Sequence, residues 1–330
     1  MTESSLRNMV LSTVLVLLST VLAFGAGEVI LRIKNSSMKN YDIEMLRYAR
    51  ELKHRSDMPV LGHEHVPGKS AILQSVEIRI NEHGLRGVPV PPPTLGKRRI
   101  LFLGGSVTLG WGVAEKETVT ECLRRMFQSD GQDVEVLNAG IGNYNAVRYV
   151  ERFNQRLRDL KPTDIVVHYF LRDAEALDPG GGNFLLRHSE LAVTVWVAFT
   201  RYFGRFAEKT LEDHYRDVYR PDAAGFLAMR GALRDLASYA REHGIRVYFA
   251  MTPDVHDLVD YKFGYIHDLM RDVAREEGYG YVDLLPAMRN LTPQELWSMP
   301  GDPHPNALGH ERMAEAIYRE IRDVSSQSLH

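Results

Sequence analysis

The chain has 330 residues and a mass of 37.5 kDa, with 40 Lys+Arg against 43 Asp+Glu. A hydrophobic share of 44% with 25% charged residues excludes a disordered or fibrous chain, and the length allows one large domain or two ordinary ones. A net charge of −3 offers no basic footprint for nucleic acid, and the single cysteine, Cys122, excludes an internal disulfide and a cysteine-rich metal site.

The first element is apolar. Between Arg7 and Glu28 lie twenty residues without a charge, NMVLSTVLVLLSTVLAFGAG, and the run VILRI follows. About 20 apolar residues span a bilayer core as a helix. A cleaved signal peptide is the competing reading, with Ala23 and Gly25 as small residues before a cut. The run exceeds the ~7–15-residue core of such peptides, which favours an uncleaved anchor. Arg32, Lys34 and Lys39 outnumber Arg7 across the helix, so the charge flanks place the main domain in the cytoplasm.

Residues 35–98 are mixed and polar, with a helical stretch YDIEMLRYARELKHR and a strand-like VEIRI. The stiff run from Val88 to Thr94, VPVPPPT, reads as a linker. His63-Glu64-His65 suggests a metal, but zinc needs three or four converging ligands, so an exposed polar turn is the better reading.

From Arg99 onward apolar runs alternate with amphipathic helices. ILFLGG, VEVLN, IVVHYF, IRVYFAM and YVDLL suit buried parallel strands. Val119, Cys122, Leu123, Met126 and Phe127 share one helical face, as do Phe226, Met229, Leu233, Leu236, Ala237 and Ala240. Such alternation predicts a three-layer α/β/α domain on a five-stranded parallel sheet, with catalytic groups at the carboxyl ends of its strands. The 178–183 stretch DPGGGN opens no phosphate-binding loop and reads as a flexible loop. Beyond it Leu191, Val195, Ala198, Phe199, Tyr202 and Phe206 fall on one helical face, with Arg187, Arg201 and Arg205 around it. A packed cap over the site is the preferred reading of this insertion, with contact at a membrane interface second.

The first strand runs into Gly104-Gly105-Ser106-Val107-Thr108-Leu109-Gly110. This segment matches neither a phosphate-binding loop, GxGxxG, nor the GxSxG elbow. What remains is a serine after two glycines, opening a helix beside free backbone N–H groups, as acyl transfer requires; a serine N-cap in a tight turn fits equally well. Near the end of the chain, His304 stands between Pro303 and Pro305 before a helix carrying Met313, Ala314, Ile317 and Ile321 on one face. It is placed to reach the first strand, with Asp302 as the group that fixes its tautomer. Alone, this tripeptide is more often a capping turn with a surface histidine. Paired with Ser106 it reads as a base.

These segments together resemble the SGNH/GDSL hydrolase superfamily, whose four blocks occur in this order over residues 99–324. The first block appears as GGSVTLG, with Ser106 as nucleophile and Gly105 in place of the usual Asp. The second resembles Asn138-Ala139-Gly140-Ile141-Gly142-Asn143-Tyr144-Asn145, with Asn143 where the family places a glycine whose N–H serves the oxyanion and Gly142 beside it. The third reads Phe170-Leu171-Arg172-Asp173, with Arg172 where the family places a side-chain oxyanion donor. The last has Gly301 where the family acid belongs and an Asp302-x-His304 arrangement instead; an Asp-x-His pair also occurs in the alginate O-acetyltransferase-like branch. INEHGLRG, residues 80–87, is similar to the lead-in of membrane-anchored bacterial members.

The resemblance implies a serine esterase with Ser106, His304 and Asp302 as triad and Gly142, Asn143 and Arg172 around the oxyanion. The reaction it implies needs no metal or organic cofactor, and the substrate it implies is an acyl ester, the acetyl group of a cell-envelope or exported polysaccharide. An O-acetyltransferase with the same site and a catalytically silent glycan-binding or assembly protein are the alternatives. It also implies, against the charge flanks, a catalytic domain outside the cytoplasm. The predicted segments are an anchor over 1–34, the polar extension and linker over 35–98, the hydrolase domain over 99–324 with an insertion around 178–215, and a tail over 325–330. Partners implied are the ester substrate and the membrane, with no nucleic acid.

Overall fold

The computed structural model describes residues 3–35, 41–177, 188–204, 210–299 and 302–322. The chain divides into two compact units, Met1–Arg47 with Gly182–Glu208, and Tyr48–Gly181 with Lys209–His330.

In the first unit, helix α1 (Glu3–Asn35) is long and apolar enough to cross a membrane over Arg7–Lys34. The inserted helix, α4 (Glu190–Gly204), packs on it. Glu28 joins the two. Its carboxylate accepts from Ser189 Oγ at 2.8 Å, Glu190 N at 2.9 Å and Leu191 N at 3.1 Å, which caps the start of α4. Arg32 pairs with Glu28 at 2.8 Å and donates to His188 O at 3.0 Å. On α4, Val195 is 59%, Phe199 53% and Tyr202 61% exposed, with Trp196 beside them. The DPGGGN loop, Arg187, Arg205 and Phe206 lie outside the described residues.

The second unit is built on five parallel strands: β1 (Arg99–Gly104), β2 (Glu135–Asn138), β3 (Asp164–Phe170), β4 (Arg246–Thr252) and β5 (Gly280–Asp283). Their order across the sheet is β2-β1-β3-β4-β5, the flavodoxin-like doubly wound arrangement. All five expected runs form these strands. Each central strand is covered on both faces, so its residues are apolar without alternation. On one face Leu101, Leu103, Ile165, Val167 and Phe249 pack with α3 (Ala146–Arg152), α5 (Ala224–Glu242) and α6 (Gly264–Glu277). On the other, Ile100, Phe102, Val166 and Ala250 pack with α2 (Val119–Ser129) and α7 (Ala307–Ile321). Phe102, fully buried in β1, is typical of this core; its truncation to Ala costs about 3–5 kcal/mol.

Much of the extension is core. Tyr48, Leu52, Leu61, Leu73, Ile78, Ile80 and Leu85 are buried within the second unit. His63-Glu64-His65, expected as an exposed turn, is instead a short strand paired antiparallel with Lys53–Arg55, and His65 is buried. The alternation of a strand turns His65 inward, a placement its polarity conceals.

Candidate active site

Ser106 sits at the carboxyl end of β1 as the first residue of the short helix Ser106–Leu109. His304 comes from β7 (Asp302–Pro305), which forms an antiparallel hairpin with β6 (Trp297–Met299). Its Nε2 lies 2.7 Å from Ser106 Oγ, the hydrogen bond a serine nucleophile needs from its base. Asn306 caps α7, accepting from Gly309 N at 3.2 Å, so the loop serves as cap and site together. The Asp302 backbone pairs with Met299; its side chain lies outside the described residues, as does Gly301.

Gly105 replaces the acid of the resembled motif for a visible reason. A Cβ there would meet Tyr144 O at 3.2 Å and Asp173 Oδ1 at 3.9 Å. An Asp would therefore bring a second carboxyl beside a buried one. Asp173 is buried and accepts from Phe170 N at 3.1 Å. Desolvation pushes its pKa up to about 8.

The loop after β2 closes on the nucleophile turn through Ile141 N donating to Gly104 O at 3.2 Å. Asn143 is exposed with φ +65°, a left-handed conformation that Asn tolerates better than most residues. The N–H groups of Ser106 and Asn143 have no hydrogen-bond partner among the described residues. Gly142 is different: its N–H donates to Tyr48 Oη at 3.0 Å, which removes it from the expected oxyanion donors. Arg172 is half exposed and pairs through Nε with Glu175 at 3.3 Å. Glu175 also takes His214 Nε2 at 2.9 Å.

Several supports were invisible in the sequence. Asn138 Nδ2 donates to Thr108 O at 2.7 Å, and Arg86, from INEHGLRG, grips Leu109 O, Gly110 O and Val113 O at 2.6 Å each. Together they fix the carbonyls around the end of the nucleophile helix. Thr108 Oγ1 meets buried His168 Nδ1 at 3.1 Å, and buried His310 Nδ1 accepts from Val119 N at 3.0 Å. Burial holds His168 near 3 and His310 well below the usual histidine value, so both stay neutral. Under the loop, Tyr48 Oη donates to His65 Nε2 at 2.6 Å, whose Nδ1–H donates to Gly84 O at 2.9 Å. Lys53 and Arg148 add two cations, donating to Gly142 O at 3.3 Å and Asn143 O at 3.2 Å. Arg86, Thr108 and Asn138 had a signal, lying in the lead-in segment and the first two blocks; the others had none.

No family model and no curated protein matches the chain. Among solved structures it is similar to TesA, at 16% identity and TM-score 0.46, over 68% of this chain and 98% of that one. It is similar also to the acetyl xylan esterase AlAXEase (15% identity, TM-score 0.43, 68% and 99% of the two chains). A third is a mutant of Axe2, an acetyl-xylooligosaccharide esterase from Geobacillus (17% identity, TM-score 0.44, 70% and 96%).

Proposed function

We propose that the protein is a membrane-anchored serine esterase of the SGNH/GDSL type that hydrolyses acyl esters, with acetyl groups on a glycan as the substrate class. The observation that carries the reading is the 2.7 Å contact between Ser106 Oγ and His304 Nε2 at the carboxyl end of the parallel sheet. Ser106 attacks the ester carbonyl while His304 takes its proton, and the tetrahedral oxyanion falls to the N–H groups of Ser106 and Asn143. His304 then protonates the leaving alcohol, and water, deprotonated by the same ring, releases the acid. Asp302 is the proposed orienting group. The acetyl and glycan choices rest on the resemblance of the four blocks. Full-length protein in detergent should release acetate from a small activated acetate ester and from an acetylated oligosaccharide, and Ser106→Ala should do neither. Acetyl transfer to an added glycan without free acetate would replace hydrolysis by transfer.

Arg172 holds Glu175 through Nε at 3.3 Å, and we assign it that ion pair rather than a part in the oxyanion hole. Its pairing predicts a modest role: Arg172→Ala should cost at most about 1 kcal/mol of stability, as for an exposed ion pair, with turnover nearly unchanged. A loss of roughly 10²-fold in turnover with an unchanged melting temperature would instead make it an oxyanion donor.

The anchor reading rests on α1. Helix α4 packs on α1 within the same unit, and we take contact at a membrane interface as the role of the insertion. We place the catalytic unit outside the cytoplasm, and a reporter fused at the C-terminus should be active only in the exported compartment. A cytoplasmic signal would remove the envelope glycan as substrate.

A further inference from the structure

The peptide joining Gly142 to Asn143 is held from one side by groups far away in sequence. Lys53 Nζ donates to Gly142 O at 3.3 Å, and His63 Nε2 lies 3.1 Å from the same oxygen, donating to it in its Nε2–H tautomer. Lys53 also rests over the Tyr48 ring at 4.5 Å from its centre, and the same tyrosine takes the Gly142 N–H. The loop therefore has little freedom to rotate this peptide. In a planar trans peptide the C=O and the following N–H point in opposite directions. Fixing Gly142 O toward Lys53 and His63 thus fixes the Asn143 N–H away from them. That N–H, like the one of Ser106, has no partner among the described residues.

We propose that Lys53 and His63 are positioning residues of the oxyanion hole: by holding the Gly142 carbonyl they aim and polarise the Asn143 N–H toward the reacting carbonyl. The assignment rests on the esterase reading above. A cation on the far oxygen draws electron density through the amide, making its N–H a stronger donor as negative charge develops on the substrate. Packing alone gives no reason for a lysine here. Burial and the neighbouring Arg148 push Lys53 down to about 7, and burial first, then Lys53, pushes His63 down to about 3. The partly buried ammonium, the form present below about 7, is thus a cost to the fold, whereas an apolar chain of similar length would fill the space without one.

That cost separates positioning from structure. In the full-length protein, Lys53→Met should lower kcat roughly tenfold or more with KM within about twofold, a smaller loss than removing an oxyanion donor itself. Affinity for a boronic acid that mimics the tetrahedral intermediate should fall by the same factor. The melting temperature should hold or rise. Lys53→Arg, which retains a donor and a charge, should recover part of kcat, and His63→Gln should lose less than His63→Phe. Unchanged kcat in Lys53→Met, or kcat and melting temperature falling in step while boronate affinity stays at the wild-type value, would overturn the assignment alone. Wild-type protein without Ser106-dependent turnover would overturn the esterase reading, and this assignment with it.

Discussion

Ser106→Ala and His304→Ala should each reduce ester hydrolysis by about 10⁴-fold or more, and the double variant should be little worse than either single one. The two side chains share one proton, across the 2.7 Å between Oγ and Nε2. Without the ring the hydroxyl stays protonated and is a poor nucleophile; without the hydroxyl the ring has nothing to activate. The residual rate belongs to binding and to the backbone donors, which neither substitution removes. Losses that multiply in the double variant would mean that the residues act in separate steps. Both variants should melt close to wild type, because neither side chain belongs to the buried core.

The second large effect is on stability. Lowering the pH from 6.5 should unfold the protein steeply, at a midpoint between about pH 5 and 3. His63 and His168 are held near 3, and His65 and His310 well below 6.5, by burial in every case. An unfolded histidine takes up its proton at about 6.5, so each of the four contributes stability that is full above that value and lost as the pH falls toward its folded value. Asp173 acts in the opposite sense. Raised to about 8, its contribution is complete below about 3.9, where an unfolded Asp titrates, and is lost as the pH climbs through 8. In the acid window it cancels one histidine. A net uptake of about three protons gives a slope of roughly 4 kcal/mol per pH unit, enough to exhaust a stability of about 5–15 kcal/mol within a few units. Chemical unfolding at a series of pH values checks this, and His168→Gln and His310→Gln should each flatten the slope. Stability constant between pH 6.5 and 4.5 would contradict it.

Much of the fold was legible because parallel strands covered on both faces are written as unbroken apolar runs. ILFLGG and IVVHYF admit few other readings, and the helical faces of 119–127 and 226–240 identify what covers them. Ser106 and His304 were legible for a different reason: each stands in a local context, two glycines after a strand and two flanking prolines, that constrains the backbone. The rest of the site is assembled by tertiary burial of polar groups, which leaves no pattern. Lys53, His63 and Tyr48 read as solvated residues of a polar extension, yet they hold a loop some ninety residues later. Nothing local distinguishes Gly142 from its neighbour Asn143, and only the approach of Tyr48 shows that its N–H is taken.

The proposed chemistry requires a Ser106 hydroxyl activated by His304. Mixing the full-length folded protein with a small organophosphonate ester and mapping the adduct by peptide mass spectrometry tests it most directly. One adduct is expected, on Ser106, absent in Ser106→Ala and formed far more slowly in His304→Ala. A folded protein that takes up no phosphonate, or takes it up on another residue, would contradict it.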